Sequence, residues 1–456
     1  MTKLKRYQRK GVYLIKKFGG RAILADEMGL GKSIQSLTFV ERENLYPCII
    51  VCPAALKWNW EREVAMHIGR EVTILEGRKP PRRKRIRHTS IIIVNYDIVG
   101  DWLPYLLSVN PESLIIDEAQ YISNRKTKRA KAVKRLGAKV EKIIALSGTP
   151  LTNRPREIYP IVNLLRPDLF PSFRPFANRY CGPKLTPWGW KFDGATHLDE
   201  LHEILKERLM IRRRKVDVLK DLPPKTRHII PVDIEKRDEY KRAQSDYVSW
   251  LRDHLGEAVR DRVIQAQRVV RRMHLWRLVA EMKLPSVISW IDSFLANTER
   301  EKLVVFGIHY KILIPLYERY RKHGAVLING KIRGKDRQQA IDLFQKDRGT
   351  RLLFGNYRAA GVGSNYTSAS TGISVELPWT PAEALQGEDR LARMGQKFPV
   401  DFYYLVAKGT VEEMHCDLLQ RKQGIIVDRV LDGKKNLSDF SLFDELEKEL
   451  LEHEPS

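Results

Sequence analysis

Short apolar runs alternate with longer amphipathic stretches along most of the chain, the pattern of βα repeats around parallel sheets. In the first half the runs are 22–25, 48–52, 91–94, 114–116 and 143–146. In the second half they are 303–306, 326–328, 352–354, 373–376 and 402–406. Five candidate strands on each side predict an α/β protein with two lobes of similar build. The stretch between them, 166–282, reads differently. It is rich in Arg, Lys and Trp, and 235–282 has few glycines and no proline, which predicts long helices. The expected organisation is a first lobe at 1–165, a basic and largely helical insertion at 166–282 and a second lobe at 283–430. An acidic tail at 431–456 carries Asp439, Asp444, Glu445, Glu447, Glu449, Glu452 and Glu454. No fixed-period repeat or low-complexity tract is present.

Composition sharpens this picture at three points. At 456 residues with 43% hydrophobic content, the chain can bury real cores without disulfide or metal staples. Four cysteines rule out a disulfide scaffold and fit a reducing compartment; Cys48 and Cys52 lie in an apolar run without further zinc ligands nearby, and read as strand thiols. The 81 Lys+Arg against 56 Asp+Glu give a formal charge of +25, which calls for a polyanionic partner. No apolar run is long enough to span a bilayer, no amphipathic anchor offers a membrane surface a strong apolar face, and the N-terminus lacks the apolar core of a secretory signal. Nucleic acid is therefore the expected partner. Four basic runs are candidates for phosphate contacts: RKPPRRKRIRH at 78–88, RKTKRAKAVKR at 125–135, RRRK at 212–215 and RVVRRMHLWR at 268–277.

The strongest chemical signal is DEMGLGKS at 26–33, between the apolar run AILA and the helical stretch IQSLTFVERE. Gly29 and Gly31 let the backbone approach phosphate oxygens, and the amides that follow point at the anion with the helix dipole behind them. Lys32 would bridge the β and γ phosphates, and Ser33 would offer its hydroxyl to magnesium. Asp26 stands where the general phosphate-loop pattern has glycine. A partner motif, LIIDEAQ at 114–120, is an apolar strand that ends in two carboxylates. Asp117 can hold magnesium and Glu118 can orient or activate the attacking water. Together the two motifs predict an ATP or GTP hydrolase.

DEMGLGKS, DEAQ and SGTPLTNRP resemble motifs I, II and III of the Swi/Snf family of helicase-like ATPases in helicase superfamily two. VVFGIHY at 304–310, AAGVGSNYTSAS at 359–370 and QGEDRLARMGQ at 386–396 resemble its motifs IV, V and VI, in the same order. Outside the shared motifs, SFRPFANRYCGPK, TPWGWKFDGA, LKERLMIRRRKVDVLKDLPPK and FYYLVAKGTVEE are similar to the annealing-helicase (HARP-like) branch. The chain departs from the family at Ala392, where His is usual, and at Ser364, where Leu is usual.

The resemblance implies two RecA-like parallel-sheet lobes, ATP as substrate and Mg2+ as cofactor. It implies that Gln8 contacts adenine and that Asp26, Glu27, Met28, Gly29, Leu30, Gly31, Lys32, Ser33 and Ile34 form the nucleotide loop, with Gln386 near the nucleotide. Ser33 and Asp117 would serve magnesium, and Lys32, Asp117 and Glu118 would serve catalysis. Ser147, Gly148, Thr149, Gly361 and Gly363 would couple hydrolysis to DNA. Arg390 and Arg393 would reach across the lobe interface as arginine fingers. The implied activity is ATP-driven translocation on double-stranded DNA, with remodelling or rewinding of forked DNA. A strand-separating helicase on DNA or RNA, and an inactive DNA-binding scaffold, are the alternatives. The expected setting is intracellular: cytoplasmic or nucleoid-associated, nuclear in a eukaryote, working as a monomer away from membranes.

Overall fold

A computed structural model describes residues 2–78, 90–148, 154–186, 189–219, 221–254, 262–330, 332, 334–361 and 365–426. Thr149, Gly363, most of the basic run at 78–88 and the acidic tail at 431–456 lie outside the described residues. The chain divides between Leu222 and Pro223 into two units, each built on its own sheet.

The strands of the first unit are β1 (Arg21–Leu24), β2 (Cys48–Cys52), β3 (Val72–Ile74), β4 (Ile91–Asn95), β5 (Ser113–Asp117), β6 (Lys142–Leu146), β7 (Lys184–Thr186), β8 (Gly189–Lys191) and β9 (Met210–Ile211). Among the described residues, seven of these form one parallel sheet in the order β3-β4-β2-β5-β6-β1-β9. Among the described residues, β7 and β8 pair with each other alone, antiparallel. Parallel strands need crossovers, and the amphipathic stretches between the apolar runs supply them as helices. Side chains alternate across a strand, so Ile49 and Val51, Leu114 and Ile116, and Ile143 and Ala145 all enter the same core, which also holds Leu136, Ile161 and Leu165.

The second unit contains β10 (Lys225–Val232), β11 (Leu303–Gly307), β12 (Ala325–Ile328), β13 (Leu352–Asn356), β14 (Thr371–Ser374) and β15 (Val400–Ala407). They form a parallel sheet in the order β10-β15-β14-β11-β13-β12. Val304 and Phe306 of β11 join one core while Leu303 and Val305 join the other, so this sheet is buried on both faces.

Every apolar run read as a strand is one. The span 166–282 is more divided than a single insertion. Its helices Arg237–His254 and Arg262–Met282 fall where the helical stretch was expected. Its first part belongs to the first unit, where β9 extends the sheet beside β1. Its next part supplies β10, which pairs with β15 along its whole length. Both carry short apolar stretches that were not read as strands, at 209–211 and 229–232; β9 has two residues, and β10 is an edge strand whose side chains are all half-buried or exposed. No helix among the described residues is long and apolar enough to cross a membrane.

Candidate functional site

The phosphate loop lies between β1 and the helix Lys32–Arg42. Gly29 and Gly31 have φ of 86° and 75°, left-handed values that favour glycine. Gly31 is also held to glycine by space, because a Cβ there would lie 2.5 Å from Gln8 Nε2. It caps the helix without a side-chain bond, leaving the first-turn amides as anion donors. Gln8, buried at 4% exposure, donates from Nε2 to the Leu30 carbonyl at 3.2 Å, and Tyr7 OH donates to the same oxygen at 3.2 Å. Lys32 Nζ donates to the carbonyls of Asp26 (2.8 Å) and Glu27 (3.4 Å). Burial pushes the Lys32 ammonium below its ordinary pKa, while Glu118, Asp26 and Asp117 pull it back.

The loop is braced from behind. The Asp26 side chain is fully buried and accepts from Arg213 Nε at 2.9 Å, from Arg213 Nη2 and from Gln35 Nε2 at 3.0 Å. Gln35 also donates to the carbonyls of Leu30 and Gly31, and its Oε1 accepts from Arg213 Nη2 at 2.7 Å. Arg212 Nη1 donates to the carbonyls of Ala25 (2.9 Å) and Gly148 (3.0 Å). The Glu27 carboxylate accepts from the Lys215 amide at 2.6 Å. The run RRRK at 212–215 therefore corrects an expectation. Arg212 and Arg213 face the loop and its buried acid, and Arg214 pairs with Asp217. A carboxylate taken out of water needs a partner, and Asp26 draws this run inward.

Asp117 closes β5. Its Oδ2 accepts from Trp60 Nε1 at 2.8 Å and its Oδ1 from the Glu118 amide at 3.0 Å. Burial and the neighbouring Glu118 push the Asp117 carboxyl up to about 7, against the Trp60 bond and Lys32. Glu118 has φ of 50°, a left-handed conformation that costs a residue with a Cβ roughly 1–3 kcal/mol. The turn aims its carboxylate at Gln120, whose Nε2 donates to Oε2 at 2.7 Å. Gln120 Oε1 in turn accepts from Ser147 Oγ at 2.7 Å. β6 lies beside β5, with Leu146 opposite Asp117, so Ser147 arrives next to the acids by register. Gly148 abuts the loop: a Cβ there would lie 2.8 Å from Met28 Cγ and 3.6 Å from Lys32 Nζ. One corner of the first unit thus gathers Gln8, the loop 26–33, Asp117, Glu118, Ser147 and Gly148. Trp60, Gln35 and Gln120 were not singled out from sequence, and Arg212 and Arg213 were read only as part of a phosphate-contacting run; for Gln120 the signal was present, as the last letter of DEAQ.

Gly361, Gln386, Arg390 and Arg393 belong to the second unit. Arg390 is buried at 4% exposure and donates from Nε to the Gly361 carbonyl at 2.8 Å. Arg393 and Gln386 are half-buried. The helix Pro381–Glu388 starts on a Thr380 cap and ends on a buried carboxylate. Glu388 accepts from Lys225 Nζ (2.6 Å), Arg227 Nε (2.6 Å) and Nη2 (2.8 Å), and Tyr404 OH (2.6 Å). Burial alone would raise this carboxyl, but Lys225 and Arg227 outweigh it and hold it below the usual range.

The SNF2-related domain profile matches residues 7–274, and the helicase conserved C-terminal domain profile matches 286–395. Among relatives, the SWI/SNF-related matrix-associated actin-dependent regulator of chromatin subfamily A-like protein 1 of Xenopus tropicalis is 31% identical over 91% of this chain and 44% of its own. The DNA annealing helicase and endonuclease ZRANB3 of Homo sapiens is 30% identical over 95% of this chain and 41% of its own. The chain thus spans less than half the length of these two curated relatives. The solved Sulfolobus solfataricus SWI2/SNF2 ATPase core in complex with dsDNA covers 95% of this chain and 94% of its own, at 25% identity and a TM-score of 0.45. The SNF2-related match takes in more than half of the chain and holds Gln8, the phosphate loop, Asp117, Glu118, Ser147 and Gly148, so this chain belongs to the SNF2-related family.

Proposed function

We propose that the chain is a DNA-dependent ATPase that drives translocation along duplex DNA and remodels or rewinds forked DNA. The observation that carries this reading is the convergence of the loop at 26–33, the acids Asp117 and Glu118, and Ser147 with Gly148 in one corner of the first unit. The residues present fit a magnesium nucleotide. Two adjacent carboxylates in one buried corner, one of them pushed up to about 7, are a site that a divalent cation would suit. Ser33 and Asp117 would hold Mg2+, which when bound neutralises phosphate charge. Lys32 supplies a second positive charge to the phosphates, exchanging backbone carbonyls for phosphate oxygens. Glu118, locked by Gln120, orients the attacking water.

Ser147 reaches Glu118 through Gln120, so a shift of the 147–149 segment on DNA contact would reposition the acid. Gly361 and Gly363 couple the second unit to DNA in the same sense. Arg390 and Arg393 stabilise charge that develops on the transferred phosphoryl group. Gln8 recognises adenine, and Gln386 lies near the nucleotide. The protein works as a single chain inside the cell.

ATPase rates with single-stranded, duplex and forked DNA and with RNA test the reading, alongside triplex displacement and duplex unwinding. Stimulation by duplex and forked DNA above RNA, with ATP-dependent displacement of a third strand and little unwinding, is expected. Lys32→Ala should abolish hydrolysis while DNA binding persists. Efficient unwinding without triplex displacement would replace this reading with a strand-separating helicase.

A further inference from the structure

β7 and β8 form a hairpin with no strand partner beyond themselves among the described residues. Leu185 lies opposite Trp190, and Lys184 opposite Lys191. Strand alternation places Leu185 and Trp190 on one face and the two lysines on the other. The apolar pair is open to solvent: Leu185 is 71% exposed and Trp190 52%. An isolated two-stranded hairpin is only marginally stable in water.

The base of this one is fastened. The Gly194 amide donates to the Cys181 carbonyl at 3.0 Å and the Thr196 amide to the Tyr180 carbonyl at 3.1 Å. Phe192 packs edge-on to Phe173 with ring centroids 5.8 Å apart. A rigid root therefore carries a solvent-facing tryptophan and leucine.

The surroundings give the partner. The Arg125 guanidinium sits 4.2 Å above the Phe173 ring, so the basic run at 125–135 begins at the hairpin's root. Arg125, Lys126, Lys128 and Lys131 are exposed along it. Asp193, the acid next to the hairpin, is already paired with Arg154 and Arg156. An apolar, partly aromatic face inside a cationic field suits a polyanion that also offers a flat ring face. Base–aromatic stacking meets that description and tolerates any sequence.

We propose that the hairpin is a stacking platform for the end of a duplex, where paired and unpaired DNA meet. Trp190, backed by Leu185, covers the outermost base pair. The run from Arg125, at the hairpin's root, holds the flanking phosphates. The proposal rests on the reading of the chain as a DNA motor and adds the feature of the DNA that it senses.

The test uses forked DNA with 2-aminopurine in the base pair at the junction, and continuous duplex with 2-aminopurine at mid-length. Wild-type protein should change the emission at the junction and leave the mid-duplex signal unaltered. Trp190→Ala should abolish the junction signal and lower the ratio of fork to duplex affinity about ten-fold, the order expected from removing one base–aromatic stack. Trp190→Phe should restore most of both, and Leu185→Ala should weaken them. An unchanged junction signal in Trp190→Ala overturns the proposal. So does an equal loss on fork and continuous duplex, which marks a general phosphate contact, or release of the protein from forks by anionic vesicles through Trp190. A junction signal without DNA-stimulated hydrolysis removes the motor reading and leaves the platform standing. Stimulated hydrolysis without a junction signal does the reverse.

Discussion

Asp26 is a fully buried carboxylate at the start of the phosphate loop, and its guanidinium partner comes from 187 positions away. Taking both charges out of water is costly, and removing one partner leaves the other uncompensated. Arg213→Ala should therefore lower the unfolding free energy by about 3–5 kcal/mol in denaturant titration. Arg214→Ala, which breaks only the exposed pair with Asp217, should cost no more than about 1 kcal/mol. Similar losses in the two variants would deny the brace. Gln120 offers a second test, because it joins Ser147 to Glu118 and has no chemistry of its own. Gln120→Ala should leave nucleotide affinity near wild type and cut turnover roughly 10²-fold, as small misplacements of a catalytic group do. Turnover unchanged at saturating ATP would show that Glu118 holds its position without the relay. The left-handed backbone of Glu118 fits this role: strain is kept where a side chain must be aimed.

Between elements, the tie that sequence patterns did not show is the one between β10 and the helix Pro381–Glu388. Lys225 and Arg227 lie two apart on β10, hence on one face, and both reach Glu388. Since the folded carboxyl is held below its ordinary value, the stabilisation is complete above the unfolded pKa, ~4.3. It is lost as pH falls through the lower folded value. Glu388→Gln should be less stable than wild type at neutral pH, and the gap should narrow on acidification through that window. A gap that stays constant from neutral to acid pH would mean the carboxylate charge is not what binds β10 to the helix. Arg390 lies two residues beyond Glu388, so the same tie bears on where the expected finger residues sit.

For the whole molecule, the excess charge of +25 predicts DNA binding that weakens steeply with salt, by about 0.9 counterions per phosphate neutralised. The inward turn of the 212–215 run sharpens this prediction. Removing charge at exposed Lys126, Lys128 and Lys131 together should flatten the slope of log affinity against log salt, by about 1 for each phosphate that is no longer neutralised. Arg213→Ala should leave the slope as it is. Fluorescence anisotropy across a salt series measures both, and a flatter slope from Arg213→Ala would place that run on DNA after all.

Local signals were legible from sequence wherever a residue and its near neighbours settle the outcome. Apolar runs became strands because an extended segment hidden on both faces has little else to do. Gly29 and Gly31 marked the phosphate loop because positive φ next to a phosphate tolerates little but glycine. The carboxylates at 117 and 118 followed an apolar strand, and that strand placed them. Tertiary structure alone decided which cation met which acid. A run of four basic residues has the same letters whether it faces phosphate or Asp26; the difference is a buried charge supplied from elsewhere in the chain. β9 and β10 entered their sheets because a free edge lay beside them, a placement that their short apolar stretches at 209–211 and 229–232 do not specify. The join of Ser147 to Glu118 through Gln120 depended on the register of β5 against β6, a through-space relation that no local pattern carries.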